Sequence, residues 1–150
     1  MATPAQIFEL GNTTALVGWI VLILLPRRWG IVWIPQYAIP ALLSFVYAAL
    51  VLTTFFRGGE GGFGSIEDDR TLFQNDAALT AGWLHYLAFD LFIGAWIARQ
   101  SDVAGNPRPI QAVFLAGTFM FGPVGLILFL LTRGMMAGLV ARPNAGARAR

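Results

Sequence analysis

The sequence predicts an all-α integral membrane protein, built as a bundle of four transmembrane helices. Of its 150 residues, 57% are hydrophobic and 12% are charged, whereas soluble domains carry about 25% charged residues. A helix needs about 20 mainly apolar residues to cross the hydrocarbon core. Four stretches approach that length, so helices are predicted at residues 7–25, 38–56, 77–98 and 110–132. Residues 1–134 then form a single transmembrane domain, and the arginine-rich tail 135–150 is predicted to be disordered.

Several residue types that carry membrane chemistry are absent from this chain. It has no cysteine, its ten basic residues are all arginine, and it has one histidine. Disulfides and cysteine-ligated metals are therefore excluded, and so is a retinal Schiff base, which needs a lysine amine. One histidine is too few for a membrane di-iron centre, and we expect no metal site and no nucleic-acid partner. Heavy use of Arg, Ala, Gly and Pro is typical of a GC-rich bacterial gene and favours a bacterial inner membrane.

The first predicted helix begins with polar residues. Glu9, Asn12 and Thr13 follow the spacing i, i+3, i+4, so they lie on one helical face. One interpretation is an N-terminal turn in the headgroup region. The other is a polar stripe that faces the bundle interior and meets the third helix. Residues 1–6 lack the positive segment of a signal peptide, so we expect the helix to stay in the membrane.

The second predicted helix looks structural, and the connection after it, residues 57–76, is the longest segment outside the membrane. Ser65 followed by Asp68 predicts a short helix in this connection, with Ser65 as its N-cap. One interpretation of the connection is a solvated linker with an interfacial anchor. The other is a lid over a site that opens at this surface. Asp76 is the expected N-cap of the third helix.

The third predicted helix carries the only histidine, His85, and a deeply placed aspartate, Asp90. An aspartate near the bilayer centre costs roughly 2.5–3.5 kcal/mol on insertion scales, so it is rarely kept without a partner or a task. Tyr86 lies one turn from Asp90, between Gly82 and Gly94, on a face where small residues favour close packing. His85 lies about 140° around the helix from Asp90. The two side chains therefore cannot form a ligand pair on one face.

Pro123 lies near the middle of the fourth predicted helix. Proline removes one helical hydrogen bond, so it is expected to kink the helix and free carbonyl groups around Phe119. A protonated Asp90 is a suitable donor to such carbonyls, which is a purely structural role. The alternative is a role of Asp90 towards a ligand.

Four crossings put both termini on the side of the long acidic connection. Six of the ten arginines lie on that side in this arrangement. Because arginines and not acidic residues set the orientation, a cytoplasmic location is favoured for both termini.

The third helix and its flanks resemble the abscisic-acid-deficient-four family. The resemblance is carried by Gly62–Ser65 (GFGS), Leu72–Phe73, Gly82–Ile97 (GWLHYLAFDLFIGAWI) and Gly122–Gly125 (GPVG), and it covers roughly residues 60–130 most strongly. Plant plastid members are four-helix membrane proteins required to convert violaxanthin into neoxanthin, and bacterial relatives exist. The resemblance implies a bacterial member of carotenoid metabolism that acts on or binds an epoxycarotenoid. Ala95 departs from the plant pattern, in which we expect arginine.

The resemblance also implies a reaction, because neoxanthin forms from violaxanthin by isomerisation of an epoxide. That chemistry needs an acid at the epoxide oxygen and a base at the neighbouring polyene carbon, but no redox cofactor. As a hypothesis, Asp90 is the acid, His85 is the base and Tyr86 orients Asp90 or donates to the oxygen. The partners expected are a carotenoid or another lipophilic molecule and membrane lipid. Further ligand-binding candidates are Trp83, Phe89, Trp96, Glu9, Asn12 and Pro123.

Two other functions remain compatible with the sequence. In one, the protein is a non-catalytic pigment-binding or accessory subunit of a membrane complex, such as a photosynthetic one. His85 then ligates the magnesium of a chlorophyll-type pigment or a haem iron, and the protein assembles into a larger complex or a homo-oligomer. The other is a small proton-coupled carrier that uses Asp90, which is weaker because only one acidic residue lies deep in the membrane.

Overall fold

The computed structural model describes residues 2–27, 30–56 and 60–140, and within these ranges the fold is all-α. A single π-helical turn, Ile34–Ala38, leads directly into the second helix. Three helices are long and apolar enough to cross a membrane: α1, α2 together with its π-helical turn, and α4. The all-α prediction is therefore confirmed, and the three apolar helices are consistent with a membrane protein. The six helices are α1 (Pro4–Leu24), α2 (Ile39–Phe56), α3 (Ile66–Leu72), α4 (Asp76–Val103), α5 (Arg108–Phe121) and α6 (Pro123–Val140).

Side-chain caps define where the helices begin. Thr3 and Gln6 form a reciprocal capping box at the start of α1. Ser65 accepts a hydrogen bond from the Asp68 backbone N–H, as predicted, and opens α3. The prediction of Asp76 as the cap of α4 is wrong by one residue. The Asn75 side chain is the cap, because its oxygen accepts from two backbone N–H groups of the first turn.

The helix α4 is packed against α1 through glycines that admit large side chains. Gly94 is one of them, because a Cβ atom there would overlap the ring of Trp19, which is 3% exposed. Gly18 of α1 receives Leu91 of α4 in the same way. The predicted packing face of α4 is thus confirmed at Gly94. Gly82, at the other end of that face, contacts Phe73.

The segment predicted as a single fourth helix is instead a hairpin of two helices, α5 and α6. The chain reverses at Gly122, whose φ of 52° lies in the left-handed region, and Pro123 starts the return helix. Phe114 of α5 and Phe129 of α6 therefore meet, with ring centroids 5.7 Å apart. At Gly125 the two backbones approach so closely that a Cβ atom would overlap the Thr118 backbone nitrogen.

The hairpin starts and finishes at the same end of α4. Near its start, Gln111 Nε2 donates to Asp102 Oδ1 over 2.9 Å. Its tip, Gly122, lies beside Asp90 at the middle of α4. The return helix then runs along α4 until Arg133 Nη1 donates to Gln100 Oε1 over 3.3 Å. The prediction of one crossing at 110–132 is therefore wrong, because Gly122 and Pro123 turn the chain back instead of kinking it.

This hairpin also changes the positions of the chain ends. The start of α1 lies at the N-terminal end of α4, where the Thr80 hydroxyl donates to the Pro4 carbonyl. The described end of the chain lies at the opposite end of the bundle. A shared side for both termini, which assumed four crossings, does not fit this arrangement. Of the predicted disordered tail, residues 135–140 belong to α6 and residues 141–150 lie outside the described residues.

The two ends of the bundle carry opposite charges. We call the end at the start of α4 the acidic end, because most of its charged residues are acidic: Glu9, Glu60, Glu67, Asp68, Asp69 and Asp76, with Arg70. The arginine end, at the C-terminal end of α4, carries Arg27, Arg99, Arg108 and Arg133, with Asp102.

Two of these arginines donate hydrogen bonds to carbonyl groups near the C-terminal ends of α1 and α4. Arg27 Nη1 donates to the Ala98 carbonyl over 2.7 Å and to Asp102 Oδ2 over 2.5 Å. Arg108 Nη2 donates to the carbonyls of Ile23 and Leu25. Burial, and then the nearby charge of Arg27, lower the pKa of Arg108, while Asp102 acts in the opposite direction. Arg108 therefore satisfies carbonyls that the last turn of α1 leaves without helical partners.

Candidate functional site

The side chains of His85 and Asp90 lie on different faces of α4, as their spacing predicts. His85 contacts Tyr47 of α2 and Phe89 of its own helix. Asp90 faces the tip of the α5–α6 hairpin. The structure therefore does not bring together the acid and the base of the sequence-based hypothesis, and each needs its own description.

His85 lies in an apolar cleft of about 550 Å³ at the acidic end. Its ring is stacked on Phe89, with centroids 4.5 Å apart, and lies 5.4 Å from the ring of Tyr47. The polar side chains of the cleft are those of His85, Tyr47 and Thr54, in a mainly hydrophobic wall. A site of this kind suits an apolar ligand that carries one or two oxygen atoms.

The connection before α4 contributes to this cleft. Phe63, Leu72 and Phe73 line it from the membrane surface, and Phe73 packs on Gly82 of α4. Phe63 and Ile66 are 86% and 72% exposed, and the acidic residues Glu67 and Asp68 of α3 are exposed as well. The connection lies where the lid interpretation requires it, and its exposed apolar side chains also fit an interfacial anchor.

A second cavity, of about 320 Å³, lies between the same two helices towards the arginine end. Its lining includes Gln36 and Tyr37 from the π-helical turn, Ser44 of α2, and Phe89 and Phe92 of α4. The aromatic trio of Tyr47, His85 and Phe89 lies between this cavity and the first cleft. We call the two cavities and the trio the α2–α4 groove. Its shape is that of an elongated apolar site with the histidine at an inner position.

Asp90 occupies a different environment, at the boundary between the covered and uncovered parts of α4. A Cβ atom on Gly122 would lie 3.0 and 3.1 Å from its two carboxylate oxygens. The Oδ2 atom is buried and has no hydrogen-bond partner among the described residues. The Tyr86 hydroxyl lies close enough to interact with the carboxylate. The predicted proximity of Asp90 to the Pro123 break is confirmed, but no bond from Asp90 to a freed carbonyl is formed.

Each of the two interpretations of the polar residues of α1 holds for some of them. Asn12 meets α4, because its Oδ1 accepts from Trp83 Nε1 over 2.8 Å, and Phe8 stacks on the same indole. Thr13 donates to the Glu9 carbonyl of its own helix. Glu9 is exposed at the acidic end. Asn12 and Trp83 thus form a contact between helices, whereas Glu9 stays at the surface.

The other predicted ligand-binding residues are also separated. Phe89 belongs to the α2–α4 groove. Trp96 packs edge-on against Phe129 of α6, with centroids 5.5 Å apart, and does not line either cavity. Pro123 is exposed at the hairpin tip. Within the described ranges, no group of three or more His, Asp or Glu residues is placed to hold a metal ion.

The family model named ABA DEFICIENT 4-like matches residues 6–129, which is most of the chain. This chain belongs to the ABA DEFICIENT 4-like family. The resemblance noted in the sequence is therefore confirmed, and family membership indicates a role related to carotenoid metabolism. No curated protein and no solved structure matches the chain significantly.

The match to the ABA DEFICIENT 4-like family includes both faces of α4. The α2–α4 groove, Asp90 and the hairpin tip all lie within residues 6–129. Tyr47 and Gln36 were missed in the sequence, because the second helix looked structural and carries no charged residue. An indication was present in the polar pair Gln36-Tyr37 at the entry of an otherwise apolar segment.

Proposed function

We propose that this ABA DEFICIENT 4-like protein binds a carotenoid along the α2–α4 groove and isomerises an epoxide end group beside His85. The observation that carries the proposal is the groove itself, in which two apolar cavities lie in line on either side of the only histidine. A polyene is long, narrow and apolar, and aromatic faces such as Phe89 and Tyr47 suit its π-system. Family membership supports the choice of ligand.

The reaction is a proton transfer within the substrate. A base removes the proton from the polyene carbon next to the epoxide. The electron pair of that C–H bond forms the new double bond of an allene, while one C–O bond of the epoxide breaks. The oxygen stays on the neighbouring ring carbon and takes up a proton to become a hydroxyl group. Nothing is oxidised or reduced overall, so atoms and electrons balance within the substrate.

We assign the base to His85, because an imidazole nitrogen can accept a proton and the side chain lies in the cleft. We assign the acid to the Tyr47 hydroxyl, which lines the same cleft. Asp90 and Tyr86 remain the second candidate for the acid. They face the other side of α4, so a substrate in the groove reaches them only by wrapping around the helix.

Two matched substitutions test this assignment, because Tyr47 lines the cleft with His85 whereas Tyr86 lies beside Asp90. Membranes that contain the wild type, His85→Gln, Tyr47→Phe or Tyr86→Phe are supplied with violaxanthin, and the pigments are separated by chromatography. We expect the wild type to form an allenic product, His85→Gln and Tyr47→Phe to lose at least tenfold in rate, and Tyr86→Phe to stay active. General acid–base groups contribute about 10²–10⁴-fold.

Two results would contradict the proposal. In the first, the wild type leaves every epoxide unchanged. In the second, Tyr86→Phe and Asp90→Asn lose activity while His85→Gln keeps it. The absorption spectrum of the purified protein tests the pigment-subunit alternative. A Soret or far-red band that disappears in His85→Ala would establish His85 as a pigment ligand instead of a base.

A further inference from the structure

The α2–α4 groove ends in a polar cluster near the arginine end. Arg99 Nη1 donates to Gln36 Oε1 over 3.1 Å and to the Tyr37 hydroxyl over 3.4 Å. Gln36 is 6% exposed although its side chain is polar. Gln36 and Tyr37 also line the second cavity, so the cluster borders the place where an elongated ligand would end.

The backbone at this cluster is irregular in a way that places both side chains. Gln36 and Tyr37 belong to the π-helical turn Ile34–Ala38. Such turns are rare and frequently occur at functional sites, because the wider turn changes the direction of the side chains that follow it. Here the turn lets one side chain, Gln36, be buried and its neighbour Tyr37 reach Arg99.

Arg99 has donors left for a ligand. A guanidinium group carries five N–H bonds, and in the described part of the chain Arg99 forms hydrogen bonds through Nη1 alone. The guanidinium group is exposed and therefore accessible. An oxygen atom at the end of the second cavity can accept from it, whereas a hydrocarbon ring in the same place would cover polar groups without a hydrogen bond in return.

The groove and the polar cluster together are long enough for a ligand that spans the membrane. From Ala78, which lines the first cleft, to Phe92, which lines the second cavity, the rise along α4 is about 21 Å, and Arg99 lies about 31 Å from Ala78 at 1.5 Å per helical residue. The hydrocarbon core of a bilayer is about 30 Å thick. A polyene with one ring in the His85 cleft therefore has its other ring at the level of Arg99.

From this arrangement we infer that Arg99, Gln36 and Tyr37 recognise an oxygen atom on the far, non-reacting ring. The groove then selects carotenoids that are oxygenated at both ends. The inference rests on the proposed function, because it concerns the other end of the same ligand. These three residues determine specificity and take no part in the chemistry at His85.

The test compares two ligands on purified protein in detergent. One is violaxanthin, which carries oxygen on both rings, and the other is β-cryptoxanthin 5,6-epoxide, whose second ring is a hydrocarbon. The wild type, Arg99→Met, Gln36→Leu and Tyr37→Phe are measured by the amount of each pigment retained at equilibrium. Arg133→Met is the matched control, because Arg133 is an exposed arginine at the same end that contacts Gln100 outside the groove.

We expect the wild type and Arg133→Met to bind the doubly oxygenated ligand about tenfold more tightly, which corresponds to one charge-assisted hydrogen bond. Arg99→Met should bring this ratio close to one without changing the affinity for the singly oxygenated ligand. Tyr37 is half exposed, so Tyr37→Phe should fold even if Gln36→Leu does not, and it should lower the ratio by a smaller factor.

The inference is overturned if the wild type binds both ligands equally, or if Arg99→Met weakens both to the same extent, as a structural defect would. These results leave the proposed function intact, since an epoxycarotenoid is still bound. Failure of the wild type to bind either ligand overturns the proposed function together with the inference.

Discussion

The two halves of α4 differ in how completely other helices cover them. In the half towards the arginine end, Leu91, Ala95, Ile97, Ala98 and Ser101 are 0% exposed. In the half towards the acidic end, Leu79 is 50% and Trp83 37% exposed on the side of α4 that carries Asp90. The hairpin causes the difference, because α5 and α6 reach only as far as Asp90 and leave the rest of that side of α4 without a helical neighbour.

Most of the contacts that stabilise the fold lie in the covered half, whereas the larger of the two cavities lies in the uncovered half. Helix ends closed by arginines, and glycines that admit Trp19 and Thr118, lie in the covered half or at its edge. His85, Tyr86 and the larger cleft lie in the uncovered half. Substitutions at the helix-end arginines and the hairpin glycines should change stability, and those at residues that line the cleft should change binding.

The largest effect is expected for Gly125→Ala in the hairpin. The new Cβ atom would overlap the backbone nitrogen of Thr118 and the carbonyl oxygen of Phe114, neither of which can move without opening the hairpin. We expect a loss of about 3 kcal/mol or more in the free energy of unfolding, measured by thermal denaturation in detergent. Gly134→Ala in the same helix is the control, since no atom of the described residues lies within 4 Å of its new Cβ. Equal melting temperatures for both variants would contradict the hairpin.

The hairpin can be tested separately by the side of the membrane on which each loop lies. The chain has no cysteine, so single substitutions Thr71→Cys, Ala104→Cys and Met135→Cys each give one labelling position. With an impermeant thiol reagent, we expect Ala104→Cys and Met135→Cys to react from the same side and Thr71→Cys from the other. Four crossings would instead pair Met135→Cys with Thr71→Cys. Labelling after permeabilisation shows that all three thiols can react.

The same experiment determines the orientation. Among the described residues, four arginines lie at the arginine end and one, Arg70, at the acidic end. The positive-inside rule then places the arginine end in the cytoplasm and the start of α1 on the opposite side. This replaces the expectation of two cytoplasmic termini, and reaction of Ala104→Cys in intact cells would contradict it.

A smaller effect is expected at the arginine end from Arg27→Gln. The substitution removes the ion pair with Asp102 and the hydrogen bond to the Ala98 carbonyl, in a side chain that is 11% exposed. We expect a loss of about 2 kcal/mol in the free energy of unfolding, since hydrogen bonds of charged groups contribute about 1.5–3 kcal/mol. Arg70→Gln is the control, because its pair with Glu67 is exposed and spans 4.0 Å. A similar loss in both variants would show that burial does not matter here.

The smallest effect is expected for Trp83→Phe in the uncovered half. Phenylalanine can still stack on Phe8 but cannot donate to Asn12. We expect a loss of about 1 kcal/mol in the free energy of unfolding. A double-mutant cycle with Asn12→Leu isolates the hydrogen bond. Additive effects in that cycle would mean that the Asn12–Trp83 contact does not stabilise the bundle.

The sequence was sufficient for the features that local chemistry determines. Apolar length predicted four spans, and three of them coincide with helices long and apolar enough to cross a membrane. Ser65 predicted α3, and the angular separation of His85 and Asp90 predicted their different faces. It was insufficient where a short segment decides between two global arrangements. Gly122-Pro123 permits either a kink or a reversal of the chain. The close backbone contact between Gly125 and Thr118 forms only after a reversal, because the two residues are far apart in a continuous helix.

The candidate site was predicted in part for a similar reason. His85 and Phe89 were found because a histidine in an apolar helix is unusual. Tyr47, Gln36 and Arg99 were not found, because their roles depend on the pairing of α2 with α4. A tyrosine and a glutamine near membrane interfaces are common, and an arginine at the end of a span is expected in any case.

The half-length hairpin also gives the molecule an unequal cross-section. Among the described residues, the part of the bundle between Asp90 and the arginine end contains five helices, α1, α2, α4, α5 and α6, whereas three long helices, α1, α2 and α4, continue to the acidic end. The protein is therefore a wedge that takes up more area in one leaflet than in the other. A wedge of this shape fits best in a bilayer that is convex on the arginine side, so membrane curvature affects where the protein is most stable.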